Sequence, residues 1–330
     1  EKIFKGKDLI ASCRYPVALT DERCLSAVIA EYQKLLNEYD WDGVNLAELY
    51  FESGVNGFIN DTLFSPMHPS ACKEFKNEYK FDLKQIFNPN SDYYWKKNPK
   101  AKEDVINYRI DKIASLHEKF LKALNAYAKT KSGFGVIVTF MDTYFSPELK
   151  EIYGINSEKI IELQKKYDFQ LQPEDPQNKW STEPNRYSEL GKFYAQKISN
   201  PSKLLLDLNI LSFRGKNEVT PFSTLTQTGI ESYHLINSAA IGAPRFTVYS
   251  ESTCNPQDIP FFSYASSAPV KYKYIDNGYE VNSPCSFVIQ LPKHIKIITV
   301  DDQAAVGYRD NKFIIPSGNH TIKLHGNEIS

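Results

Sequence analysis

Two periodicities divide the chain. Through about residue 265, short apolar runs alternate with longer stretches whose apolar side chains recur at helical spacing. Leu25, Val28, Ile29, Tyr32, Leu35, Leu36 and Tyr39 form one helical face, with Thr20 as the expected N-cap. Ile106, Ile110, Ile113, Leu116, Phe120, Leu124 and Tyr127 form another over 101–129, closed by Ser132-Gly133. Further helices are predicted near 184–198 and 225–241. The apolar runs near 8–14, 43–51, 135–141, 168–173, 204–209 and 245–250 read as strands. Strand, helix, strand in this alternation predicts right-handed βαβ units and a parallel sheet. From about residue 268 the texture changes to short strands punctuated by Asn277-Gly278 and Ser317-Gly318-Asn319. Such a pattern predicts an antiparallel all-β domain, a small sandwich, over 268–330.

Residues 53–100 fit neither pattern. They are rich in Asn, Pro and aromatics, with short helices predicted near 70–79 and 82–87. The stretch is too long for an ordinary loop and reads as an insertion over the mouth of the fold. Tyr93, Tyr94 and Trp95 either anchor it or line a cleft.

Acids mark the ends of the strands. The stretch Trp41 to Glu52 opens on an Asp42-Gly43 turn signal, runs through apolar residues and carries Glu48 and Glu52. Asp142, Glu174, Asp207 and Glu251 close the later runs, and Arg14 closes the first. Strands that are apolar on both faces belong to a buried parallel sheet. Parallel strands would gather these acids at one rim, where α/β barrels keep their chemistry. Like charges gathered there repel unless they meet polar ligands, cations or each other.

Composition narrows the function. The chain has 330 residues and a formal net charge of -1, with 39 Lys+Arg against 40 Asp+Glu. It therefore lacks the basic excess that nucleic acid or an anionic membrane surface requires. No apolar run approaches a membrane span. The chain opens on Glu1 with no leader pattern, so a processed or trimmed secreted, periplasmic or cell-surface chain is expected. Five widely spaced cysteines, Cys13, Cys24, Cys72, Cys254 and Cys285, show no metal-ligand spacing, and their odd number excludes a fully paired disulfide framework. Neither metal nor cofactor is expected. With 21 Tyr, 20 Phe and 3 Trp, the chain has the flat rings that core packing and sugar clefts both use.

The stretch Trp41–Glu52 resembles the strand of glycoside hydrolase (β/α) barrels that begins Asp-Gly-hydrophobic and ends in an acid. Chitinase-like enzymes carry Asp-Gly-x-Asp-x-Asp-x-Glu there. Asp42-Gly43 matches; Asn45 and Ala47 stand at the inner Asp positions, and Leu49 stands at the Glu position, with Glu48 one residue earlier. The looser Asp-Gly-x-x-x-x-acid form recurs in other glycosidase-like barrels, and the resemblance covers roughly residues 8–260. It implies a TIM (β/α) barrel over 1–265, followed by the β domain. A closed barrel has eight strands, so two βα units are expected upstream of this chain, or an open barrel. The implied activity is cleavage of glycosidic bonds by paired carboxylates. Glu48 is the expected general acid, desolvated by Val44, Leu46, Leu49 and Phe51, with Glu174 or Asp142 as base or nucleophile. Arg14, Tyr50, Glu52, Asp207, Tyr249 and Glu251 are the expected substrate-binding residues. Two readings stay open beside it. One is a non-catalytic carbohydrate-binding or surface protein. The other is a metal-dependent hydrolase, disfavoured because His68, His117 and His234 stand at no strand end.

Overall fold

The structure is a computed structural model that describes residues 17–51, 57–59, 61, 64–174, 185–209, 229–249, 270–283, 287–292, 294–295, 297–306 and 311–325. The chain divides into two compact units, Glu1–Pro176 and Gln177–Ser330. The boundary therefore precedes the change of texture near 265–268, and the last βα segments fall in the second unit.

The first unit opens with α1 (Glu22–Glu38). Its N-cap is Asp21 rather than Thr20: the Asp21 carboxylate accepts from the N–H groups of Arg23 (3.0 Å) and Cys24 (3.4 Å), the donors a helix start leaves open. Thr20 is buried behind it. Strand β1 (Gly43–Ala47) follows, shorter than the apolar run because Glu48 takes a left-handed backbone (φ 56°) that no strand continues through. Helices α2 (Pro69–Tyr79) and α3 (Pro99–Ala128) lead to β2 (Gly135–Met141). Asn98 caps α3 through the N–H of Ala101 (2.9 Å), and Pro99 fills the first turn, where a missing N–H costs nothing. Then come α4 (Leu149–Tyr153), α5 (Ser157–Gln164) and β3 (Gln170–Glu174).

The three strands pair in parallel, with Ala47 opposite Thr139 and Thr139 opposite Gln172. Gly43 begins this register. A side chain there would meet the Gly135 carbonyl oxygen at 2.6 Å, so the two backbones approach only because the residue is glycine. One face of the strands is apolar and buried: Leu46, Val136, Val138, Phe140 and Leu171. Helix α3 lies along β2 and α5 along β3, presenting Ile113, Leu116, Phe120 and Leu124 among their buried residues.

The insertion after β1 builds a core of its own. Phe58, Phe64, Met67, Phe75, Phe81, Leu83, Ile86 and Phe87 pack with Ala101, Val105 and Tyr108 of α3. Tyr93 stacks on Phe81 at 4.3 Å, and Trp95 lies against Phe58 at 5.9 Å. These two aromatics anchor the insertion. Arg109 sits beneath it, fully buried. Its guanidinium donates to the carbonyls of Glu151 and Ile152 (2.9 Å to the latter) and lies over the Phe64 ring at 4.5 Å.

The second unit carries α6 (Arg186–Lys197), β4 (Leu205–Asn209), α7 (Gly229–Gly242) and β5 (Arg245–Tyr249). Strands β4 and β5 are also parallel. The parallel strands follow chain order, β1-β2-β3-β4-β5. Eight-stranded closure is not seen among the described residues, and the strand expected near 8–14 lies outside them. The architecture is thus α/β with a parallel half-barrel sheet, joined in sequence to antiparallel sheets.

Those antiparallel strands are β6 (Lys271–Ile275), β7 (Gly278–Ser283), β8 (Phe287–Gln290), β9 (Ile297–Val300), β10 (Gln303–Val306), β11 (Lys312–Ile315) and β12 (Gly318–His325). One sheet runs β10-β9-β12-β7-β6 and a second pairs β11 with β8. Val281, Ile298 and Ile322 from the first share one buried cluster with Phe287, Phe313 and Ile315 from the second. The β6–β7 turn is Asp276-Asn277 rather than Asn277-Gly278, because Gly278 already pairs with Ile275. No helix among the described residues is long and apolar enough to cross a membrane.

Candidate active site

The first unit's parallel strands are not apolar on both faces. The face away from the helices carries a row of polar side chains, because alternate residues of a strand share a face. Asn45 is exposed, while Thr139 and Gln172 are 6% and 3% exposed. The Thr139 hydroxyl lies 2.9 Å from Asn45 Oδ1 and 2.9 Å from Gln172 Oε1. Polar groups buried on a sheet face cost free energy unless they bond each other, which these do.

Two expected acids stand at the C-terminal ends of the strands that carry Asn45 and Gln172. Glu174 is the last residue of β3, two places after Gln172 and on the same side, and it is half-buried. Glu48 stands immediately after β1, exposed. The desolvation expected for Glu48 is therefore absent. Leu46, Leu49 and Phe51 are buried, yet the carboxyl faces solvent, because the left-handed turn carries it off the strand. Tyr50 follows, its N–H donating to the Glu48 carbonyl at 3.0 Å and its ring against Tyr153 at 4.8 Å. The N–H of Phe51 donates to the Tyr153 carbonyl at 3.0 Å, so the loop after β1 is tied to the end of α4.

Asp142 closes β2 differently. It is 1% exposed, and its two carboxylate oxygens accept from the N–H groups of Tyr144 (3.1 Å) and Phe145 (2.8 Å). Its own N–H donates to the Glu174 carbonyl at 2.8 Å. The side chain thus shapes the loop after β2 and leaves the Phe145 ring 46% exposed beside the strand ends. Thr143 and Ser157 lock the same loop through three buried hydrogen bonds of 2.8 to 3.0 Å. Burial and the nearby carboxylates of Glu158 and Asp142 raise the Tyr144 phenol above its ordinary value.

In the second unit Asp207 occupies the middle of β4, not its end, and is buried, accepting from the Thr247 hydroxyl at 2.6 Å. Tyr249 ends β5 and is exposed. Arg14, Glu52 and Glu251 lie outside the described residues. A wide depression of about 460 Å³ crosses β6, β7 and β12; its one acid, Glu280, stands 3.8 Å from Lys273. No cluster of three or more His, Cys, Asp and Glu side chains that could hold a metal occurs among the described residues. Cys24 and Cys72 form no disulfide.

Sequence reasoning missed the Asn45–Thr139–Gln172 row. Its signal was present: the three runs carry Asn45, Thr139 and the pair Gln170 and Gln172, which a reading of both faces as apolar passes over.

Parallel strands with helices behind and polar groups in front make an α/β fold that hosts many chemistries. Among solved structures the chain is similar to the PgaB (BpsB) glycoside hydrolase domain from Bordetella bronchiseptica, with a TM-score of 0.53 and 13% identity. The match covers 80% of this chain and 69% of that one. At this identity the likeness shows the fold alone. No protein-family model matches the sequence, and no curated protein does.

Proposed function

We propose that the chain is a glycosidase-type enzyme that cleaves glycosidic bonds of an oligo- or polysaccharide on the polar face of its parallel sheet. What supports this reading is that Glu48 and Glu174 stand at the C-terminal ends of β1 and β3, the two strands that carry Asn45 and Gln172 of the polar row. Glycoside hydrolysis needs one carboxyl to protonate the leaving oxygen and another to activate water or attack. Glu174, half-buried, suits the acid; Glu48, open to solvent, suits the base. This reverses the roles expected from the sequence, because burial favours the protonated form. Asp142 is a positioning residue, its carboxylate already engaged by two backbone N–H groups. Tyr50, Tyr153 and Phe145 offer ring faces for sugar stacking. An extracytoplasmic location accompanies this reading, since polymeric glycans are met there.

A reducing-end assay on a panel of polysaccharides tests it. Glu174→Gln and Glu48→Gln should each lower turnover by about a hundredfold or more while substrate binding persists, since removing a general acid or base costs on the order of 10²–10⁴. Turnover unchanged in both variants would remove the assignment. The second reading, a carbohydrate-binding protein without turnover, is favoured by the open position of Glu48. Wild-type binding without any release of reducing ends would establish it.

A further inference from the structure

The row Asn45–Thr139–Gln172 holds more than buried polar groups in contact. Thr139 Oγ1 stands 2.9 Å from an oxygen of each flanking amide, but a hydroxyl carries one proton. It donates to one amide oxygen and accepts from the other amide, which must turn its NH₂ inward. In either arrangement Asn45 is held by one end of its amide, and because the residue is exposed the other end is open to solvent. Asn and Gln are poor strand formers, and aliphatic residues at Thr139 and Gln172 would bury without hydrogen-bond partners. The row is therefore built for something other than sheet stability.

We propose that Asn45 is a ligand-contacting residue of this site and that Thr139 and Gln172 are positioning residues that fix its amide. The ligand group it takes is a sugar hydroxyl, an inference that rests on the carbohydrate reading above. A hydroxyl both donates and accepts, so it answers the outward end of Asn45 whichever way the amide is turned. A carboxylate answers only the NH₂ end and an ammonium only the oxygen end.

Isothermal titration of the full chain with cellohexaose, chitohexaose, xylohexaose and maltohexaose tests this. For the hexasaccharide that the wild type binds, Asn45→Ala should raise Kd about tenfold, the scale of one hydrogen bond to an exposed group. Thr139→Val should raise it severalfold, and Thr139→Ser should restore it, because serine keeps the hydroxyl. Melting temperatures of all variants separate loss of contact from loss of fold. Wild-type affinity in Asn45→Ala overturns the inference, as does a Thr139→Val variant that melts earlier yet binds normally. If that result comes while the Glu174→Gln and Glu48→Gln variants still lose turnover, only this inference falls. If the wild type binds none of the four sugars, the inference and the carbohydrate reading fall together.

Discussion

His117 and His320 show how placement sets the behaviour of one residue type. His117 is fully buried on α3, its Nδ1 2.9 Å from the Ile113 carbonyl. Desolvation lowers it from 6.5 to about 4. Its contribution is therefore complete above about pH 6.5 and is lost as pH falls toward 4, worth roughly 3 kcal/mol at about 1.4 kcal/mol per pKa unit. His320 runs the other way. Its Nδ1 stands 2.6 Å from the Asp301 carboxylate and its Nε2 3.0 Å from the Ser317 carbonyl, so only the doubly protonated ring satisfies both. The Asp301 hydrogen bond, then the Ser317 carbonyl, raise His320; the same bond lowers Asp301. The pair's contribution is complete between the ordinary values, 3.8 and 6.5, fading below as Asp301 protonates and above as His320 loses its proton. Chemical denaturation across pH 4 to 8 should show His117→Leu flattening the acid limb, and His320→Gln leaving that limb while shrinking the loss above pH 6.5.

At the scale of elements, close packing of backbones decides what the pattern of apolar residues leaves open. Helices α6 and α7 meet at Gly191 and Gly242. A side-chain carbon on Gly191 would sit 2.4 Å from the Gly242 carbonyl carbon, a contact only displacement of a helix can relieve. Gly191→Ala should destabilise by about 1–3 kcal/mol despite its gain in helix propensity, the usual scale of overpacking. Urea melts read the loss; a neutral or stabilising result would show that the helices slide apart freely. Elements themselves were largely legible. The two long helices, the strand positions within the described residues and the antiparallel strands from Lys271 follow from period and turn chemistry, but Leu35 and Tyr39, expected on the apolar face of α1, are exposed. Less legible were element ends. Asp21 rather than Thr20 caps α1, since the carboxylate reaches two N–H groups, and β1 ends at Glu48, since a left-handed residue leaves no mark in hydropathy.

Across the whole molecule, the order of the strands bears on the outcome of the proposed reaction. Strands β1 and β3 flank β2, so their backbones stand about 9.6 Å apart at about 4.8 Å per step. A retaining pair of carboxyls lies about 5–5.5 Å apart and an inverting pair about 6.5–9.5 Å. On the assignment proposed for Glu48 and Glu174, strand ends two steps apart exceed the retaining distance, and inversion is the expected outcome. Proton NMR of the first product formed from an oligosaccharide should show the anomer opposite to the bond cleaved; retained configuration would replace this carboxyl pair with a closer one.

The sequence by itself determined the βαβ alternation, the antiparallel C-terminal strands, the aromatic insertion and the acids at several strand ends. Each rests on local spacing, which hydropathy and turn residues record directly. Tertiary structure alone decided how each acid is placed. Asp142 and Glu174 look alike in sequence, each closing an apolar run. One carboxylate turns back onto the backbone of its own loop, and the other shares a sheet face with Gln172. Asp207, apparently a third strand end, is buried in the middle of its strand against Thr247. Register across strands made Asn45, Thr139 and Gln172 neighbours from positions 94 and 33 residues apart. A hydrogen bond between residues so distant in the chain follows from strand pairing, which no local pattern encodes.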